Sequence, residues 1–374
     1  MSTPNRVLVV GGGIGGLCTA IALRRKGVSV DLIELKSEWT VYGVGIIQQG
    51  NVLREMSRLG LLDAYLDAAY AFEDVAIYTT DGHQLVRIPG MRLAGPQYPA
   101  NVGISRRALH KVLSETAIEL GAKVTLGLSV ESLAQDDNGV DVQFTDGTKG
   151  RYDLVVGADG LYSKVRSLVF GDRYQPRFTG QSVWRYNFPR PAHLDHLATY
   201  MGPLGNAGLV PLSDSLMYMF VTSHEPDKPW MENDELAAQM RQRLQGFGGP
   251  IAELREQIVD NDEVVYKPLE AVFVDEPWYR GRVVIIGDAA HATTPHLGQG
   301  AGMAIEDAWV LGEELTSDGR VAEQLTRFMK RRYERCKYIA EKSLLAGERE
   351  IARDSSFDRA GLVKEMLEVT AQPI

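Results

Sequence analysis

The run Arg6-Val-Leu-Val-Val-Gly, continuing as Gly11-Gly-Gly13-Ile-Gly15-Gly16, constrains this chain more than any other feature. A continuous apolar run of that kind belongs to a strand buried in a parallel sheet. The glycines read GxGxxG and open a helix expected from about Ile14 to Lys26, stopped by Gly27. A second strand, Val30 to Leu35, completes a βαβ unit. In that setting Gly11 allows the tight turn, Gly13 lets the backbone approach a pyrophosphate, and Gly16 lets helix and strand pack closely. Gly15 belongs to the same loop. The helix N-terminus adds free N–H groups and partial positive charge for phosphates. Glu34, eighteen residues beyond Gly16, ends the second strand, where a carboxylate accepts hydrogen bonds from ribose hydroxyls. The motif alone does not separate FAD from NAD.

With 374 residues, and roughly 150 per domain, the chain is expected to form two or three domains. A net charge of −9 argues against nucleic acid or an anionic membrane as partner. No apolar run approaches the ~18 residues of a membrane span. Met1 to Arg6 lacks the parts of a signal peptide, so the protein is expected to be cytoplasmic. Cys18 and Cys336 are far apart and form no CxxC; Cys18 reads as a small buried hydrophobe.

Asp81-Gly82 and Asn138-Gly139 read as hairpin turns, and Arg106 to Leu120 as a helix closed by Gly121. From Phe178 to Phe273 short strand-like runs alternate with Pro189, Pro191, Pro203 and Pro211, with a helix near Asp234 to Leu244. Buried-strand character returns at Val283-Val-Ile-Ile-Gly287, followed by helices from about Gly302 to Leu315 and Val321 to Arg353. The expected fold class is α/β: a discontinuous Rossmann-like dinucleotide-binding domain (1–72, 100–176 and 279–345), an inserted β-sheet substrate domain (73–99 and 177–278), and a C-terminal helical segment (346–374).

Two later motifs favour FAD. One is Asp153-Leu-Val-Val-Gly157-Ala-Asp159-Gly160, continuing to Ser163 and Arg166. The other is Gly287-Asp288-Ala-Ala-His291, continuing through Pro295-His296-Leu-Gly298-Gln-Gly300-Ala301-Gly302 to Glu306-Asp307. With the GxGxxG they resemble, in order and separation, the three fingerprints of the class A flavoprotein monooxygenases, which include para-hydroxybenzoate, salicylate and 6-hydroxynicotinate hydroxylases. The resemblance spans about Arg6 to Arg335. It implies that Asp288 binds the ribityl and pyrophosphate region of FAD. It also implies that Asp159 and Gly160 serve FAD and the nicotinamide cofactor, and that Arg106 reaches the pyrophosphate. Arg107 is adjacent, and the sequence leaves open which of the two points inward. Gly298 to Gly302 precede a helix, so their N–H groups can face the flavin edge that carries negative charge when reduced. Gly202-Pro-Leu-Gly205 and Gly246-Phe-Gly-Gly249 sit in loop-like contexts, and no second GxGxxG follows a strand. This agrees with a family whose NADH or NADPH visits transiently. The WxWxIP motif of flavin halogenases is absent.

On the substrate side, Phe178 to Phe188 resembles the family strand that walls the pocket. Alternation sets Arg185 opposite to Trp184 and Tyr186 without saying which face is the pocket. Tyr218, on the strand Leu216-Met-Tyr-Met-Phe220, is a second candidate, reading either as a hydroxyl for a polar substrate or as core. His193 and His196 lack further ligand-type residues beyond Asp195, so no metal site is expected there. His291 reads as structural. His296, at the mouth of the flavin-facing loop, is the candidate general base, because imidazole titrates near neutrality. The expected activity is NAD(P)H- and dioxygen-dependent hydroxylation of a small electron-rich aromatic or N-heterocyclic ring through a flavin C4a-hydroperoxide. Alternatives are oxidation or epoxidation of a non-aromatic substrate by the same chemistry, and an FAD-binding sensor without turnover.

Overall fold

The computed structural model describes residues 4–40, 44–202 and 205–374. At its centre lies a six-stranded sheet in the order Tyr279–Arg280, Val283–Ile285, Leu154–Gly157, Arg6–Val10, Ser29–Glu34, Lys123–Leu126. All neighbours are parallel except the short edge hairpin at 279–285. Val7, Leu8 and Val9 are wholly buried, as a central parallel strand requires. The helix Ile14–Arg25 follows at once and packs on the helices Arg106–Glu119 and Gly300–Leu315. Its approach to the latter is close: a Cβ on Gly312 would sit 2.8 Å from that of Ala22.

A seven-stranded sheet forms the other large layer, in the order Val265–Ala271, Arg177–Pro189, Leu216–His224, Asn206–Pro211, Leu197–Met201, Asp74–Tyr78, Gln84–Pro89. One face carries Trp184, Tyr186, Phe188, Met217, Met219 and Val221, buried beneath the helices Leu236–Arg243 and Gly249–Arg255. The register then fixes the opposite face. Arg185 stands directly across from Phe220, Asn187 from Tyr218, and Tyr218 from Val210. Trp184 and Tyr186 are therefore core residues, and Arg185 turns the other way, towards the six-stranded layer.

A small sheet of Gly45–Gln49, Asn101–Ser105 and Ala69–Phe72 joins the two layers. It meets the large sheet closely, since a Cβ on Gly45 would lie 2.6 Å from the Tyr218 ring. Helices Gly50–Arg58 and Leu62–Asp67 accompany it. The stretch 246–249 is not wholly loop: Gly249 begins a helix with Pro250 in its first turn, where a missing N–H costs nothing. Pro203 and Leu204, within the other glycine-bounded loop, lie outside the described residues, as do Met1 to Thr3.

The helix Val321–Ile351 has 31 residues, about 46 Å of rise. Arg332 on it reaches the six-stranded layer, and Glu350, near its far end, reaches the seven-stranded sheet. The helix Arg359–Ala371 folds back along it. Among the described residues, no helix is long and apolar enough to cross a membrane.

Candidate active site

The glycine loop leaves the strand Arg6–Val10 and turns at Gly11, whose φ is +108°. No side chain is tolerated there, because a Cβ would fall 2.4 Å from the Ala158 carbonyl oxygen. Gly16 is closed off as well, with its would-be Cβ 1.9 Å from the Gly11 oxygen. Gly15 faces the helix Gly300–Leu315, 3.4 Å from Ala304 by the same measure. Gly11, Gly15 and Gly16 thus make the close packing possible, and Gly13 differs from them. Nothing lies within 4 Å of a Cβ on it. Helical hydrogen bonding starts at Leu17 N–H to the Gly13 carbonyl, so the N–H groups of Ile14, Gly15 and Gly16 have no intrahelical acceptor.

Glu34 braces this loop. One carboxylate oxygen accepts the Gly12 N–H at 2.8 Å and the other accepts the Lys36 N–H at 3.0 Å. His110, which the sequence did not single out, bonds through Nε2 to the Gly12 carbonyl at 3.0 Å and packs on Trp39. The acceptor is a carbonyl, so Nε2 carries the proton, and burial lowers the imidazole pKa.

Asp159 and Gly160 sit at the end of the strand Leu154–Gly157. The Asp159 carboxylate turns into its own segment, accepting from Ser163 Oγ at 2.5 Å and from the Val165 N–H at 3.0 Å. Gly160 faces open space. Arg166 is buried and holds three backbone carbonyls, those of Tyr174, Ala289 and Leu161.

Across the cleft, Asp288 is exposed to water, yet burial raises its carboxyl pKa, opposed by the charges of His291 and Arg106. Water reaches part of Arg185 too, while burial pushes its guanidinium down to about 10. The charge of Arg106 is felt at Asp288, Arg185 and Tyr218, so the four groups stand near one another. Arg106 is half-buried, whereas Arg107 is exposed. Tyr218 is packed into the core by its ring, and burial raises its pKa against the pull of Arg185 and Arg106. Among the described residues, neither the Arg185 guanidinium nor the Tyr218 hydroxyl has a hydrogen-bond partner.

Gly298 to Gly302 form the remaining wall. Helical bonding begins at Met303 N–H to the Gln299 carbonyl, leaving the N–H groups of Gly300, Ala301 and Gly302 without intrahelical acceptors. Gly300 faces open space, whereas Gly302 is buried against Gln299 and Val52.

His296 does not have the placement expected of a base. Its Nδ1 pairs with Thr294 Oγ1 at 2.9 Å, and its buried Nε2 has no partner and is turned onto Gly347. Burial lowers its pKa to about 4, so near neutral pH it is uncharged and a weak proton acceptor. Beside it stands Glu350, which the sequence also did not reveal. Glu350 accepts from Gln181 Nε2 and Arg359 Nη1, each at 3.0 Å, and from Asn206 and Thr222. His291, Asp307 and Cys336 converge with ligand atoms within 4.8 Å. A guanidinium already stands in that cluster: Arg332 Nε bonds Asp307 at 2.8 Å, and Nη2 lies 3.3 Å from Cys336 Sγ.

Two helix N-termini with free N–H groups, an open Gly13, and the neighbouring charges of Asp288 and Arg106 suit a dinucleotide with a pyrophosphate. The profile of the FAD binding domain family matches residues 5–341. The chain belongs to the class A flavoprotein hydroxylases. It is an FAD-dependent monooxygenase with a Rossmann-like FAD domain and a substrate domain, and NAD(P)H is the typical co-substrate of the family. It is 32% identical over 348 residues to 2-heptyl-3-hydroxy-4(1H)-quinolone synthase of Pseudomonas aeruginosa, covering 91% of this chain and 88% of that one. It is 32% identical over 323 residues to 3-amino-4-hydroxybenzoate 2-monooxygenase PtmB3 of Streptomyces platensis, covering 83% and 79%. The crystal structure of Klebsiella pneumoniae HpxO with FAD and uric acid superimposes with a TM-score of 0.87 at 26% identity, covering 98% and 97%.

Proposed function

We propose that this flavoprotein hydroxylates a small, electron-rich aromatic or N-heterocyclic ring bearing an acidic hydroxyl, and that Arg185 holds that oxygen as its anion. The supporting observation is the Arg185 guanidinium: deep, wet and without a carboxylate partner among the described residues. A cation in such a place lowers the pKa of a bound phenol or hydroxypyridine, and the anion activates the ring towards an electrophilic oxygen. Tyr218, on the same face, supplies a hydroxyl to orient the ring, and Phe220, directly across from Arg185, supplies an aromatic surface to stack on. The relatives' quinolone, aminohydroxybenzoate and uric acid are all planar rings with polar substituents, in keeping with this reading.

FAD, when bound, accepts hydride from NAD(P)H and carries the oxygen-transfer chemistry. The residues that would hold it are Gly13 with the following N–H groups, Glu34, Arg106, Gly160, Asp288, and Gly298 to Ala301. The protein then binds the ring, keeps its oxygen ionised and excludes water. No proton acceptor on His296 is required. The test is a panel of phenols, aromatic acids and hydroxylated N-heterocycles, scored for acceleration of NAD(P)H oxidation and for product mass. Compounds with an ionisable ring hydroxyl should be hydroxylated and their methyl ethers should not; equal turnover of both would refute the role given to Arg185.

A further inference from the structure

A continuous chain of buried hydrogen bonds joins the Gly287–Asp288 corner to the Leu297–Gly302 segment. Asp307 Oδ2 accepts the Gly287 N–H at 3.0 Å and pairs with His291 at 2.6 Å. Its Oδ1 accepts Arg332 Nε at 2.8 Å, and Arg332 Nη1 reaches Glu306 Oε2 at 2.6 Å. Glu306 Oε1 accepts Asn51 Nδ2 at 3.0 Å, and the same amide lies 3.0 Å from Gln299 Oε1. Gln299 Nε2 donates to Gln49 Oε1 at 2.9 Å, and Gln49 Nε2 donates to the Leu297 carbonyl at 3.2 Å. Asp307 and Arg332 have no exposed surface, Glu306 and Asn51 keep 1%, and Gln299 keeps 2%. Gln49, at the end of the chain, keeps 9%, so all of these network residues are buried.

Stability alone is a poor reason for such a network. A buried ion pair gains little over well-packed apolar side chains, because each charge is desolvated at high cost. What it supplies is geometry. The planar fork of Arg332 holds two successive carboxylates of one helix at fixed angles, which a point charge on lysine cannot do. From that anchor one arm runs to Gly287, next to Asp288, and the other to Gln299, next to Gly300 and Ala301.

We propose that Arg332 and Gln299 are positioning residues that fix the separation between these two segments. They thereby set how strongly the free N–H groups of the helix Gly300–Leu315 stabilise reduced, anionic flavin. The proposal rests on the reading that the two segments hold FAD. Loosening either arm should weaken binding of reduced flavin more than of oxidised flavin, making the bound cofactor harder to reduce. Each tenfold difference between the two losses lowers the two-electron midpoint potential by about 30 mV.

The experiment uses purified holoenzyme of Arg332→Met, Arg332→Lys, Gln299→Met and the Arg332→Met/Gln299→Met double variant. FAD dissociation, the flavin midpoint potential and the thermal melt are read for each. The expected result is at least tenfold weaker FAD binding in Arg332→Met, partial recovery in Arg332→Lys, and a lowered potential in Gln299→Met. The double variant should be no worse than its stronger parent, since both act on one chain. If Arg332→Met does not fold, Gln299→Met decides. Variants that melt earlier but keep wild-type potential and FAD affinity would reduce the network to a structural brace and overturn the proposal. Gly13→Val separates this from the parent reading. If it keeps its FAD, the cradle itself is misplaced; if it loses FAD while Gln299→Met keeps its potential, only the positioning role falls.

Discussion

His110 Nε2 lies 3.0 Å from the carbonyl oxygen of Gly12, tying the helix Arg106–Glu119 to the glycine loop ninety-eight residues before it. The bond fixes the peptide plane just before Gly13. His110→Leu removes the donor and leaves a carbonyl without its partner. A loss of about 1 kcal/mol, near fivefold in FAD affinity, is expected from one neutral hydrogen bond. Titration of the variant with FAD, against a melt showing an intact fold, reads it; unchanged affinity would remove His110 from the cradle.

Two glycines of the loop should fail in different ways. Gly13→Val places a side chain in open space beside the helix N-terminus, so the protein should fold, melt near wild type and lose its yellow colour. Gly16→Ala drives a methyl to 1.9 Å from the Gly11 oxygen, so the strand–helix unit should be damaged and soluble yield should fall. Visible absorbance per folded protein distinguishes the two. A Gly13→Val protein with full FAD content would contradict the assignment.

Arg185→Met removes the cation facing the ring while preserving bulk. The loss of a hydrogen bond to a charged group, about 1.5–3 kcal/mol, predicts a KM for a hydroxylated ring raised roughly tenfold to a hundredfold. FAD content should not change. The KM should rise most at pH values where the free substrate is neutral, because the wild type ionises it on binding. An unaltered KM across pH would exclude Arg185 from the pocket.

His296 contributes to the pH response of stability. Its folded pKa is about 4, below the unfolded value of about 6.5, so the unfolded chain binds more protons between those limits. Stability contributed by neutral His296 is complete above about pH 6.5 and is lost as pH falls towards about 4. His296→Gln should therefore show a shallower fall in Tm over that window, with the pH profile of hydroxylation unchanged. A base role would give the opposite pattern, with an altered rate profile and coupling.

What the sequence disclosed is what the backbone itself demands. Gly11 and Gly16 are legible because no other residue fits a left-handed turn or a 1.9 Å approach. Alternation separated Arg185 from Trp184 and Tyr186 but could not set the phase, which needed the helices that bury Trp184 and Tyr186. His110, Gln299, Asn51, Arg332 and Glu350 left no local signal. Their partners lie across the fold, as with Asn51 and Gln299, 248 residues apart. For His296, position beside the glycine-rich loop does not report ring direction, and the ring points at Gly347.

As proposed, this flavoprotein puts one atom of dioxygen onto an ionised aromatic or heteroaromatic ring. The most direct test is turnover under isotopically heavy dioxygen with NAD(P)H and the best compound from the hydroxylated-ring panel. The expected product carries one heavy oxygen on the ring, formed in step with NAD(P)H consumed and slowed sharply in Arg185→Met. Oxygen derived from water, or NAD(P)H oxidised to hydrogen peroxide at one rate whatever ring is supplied, would contradict it.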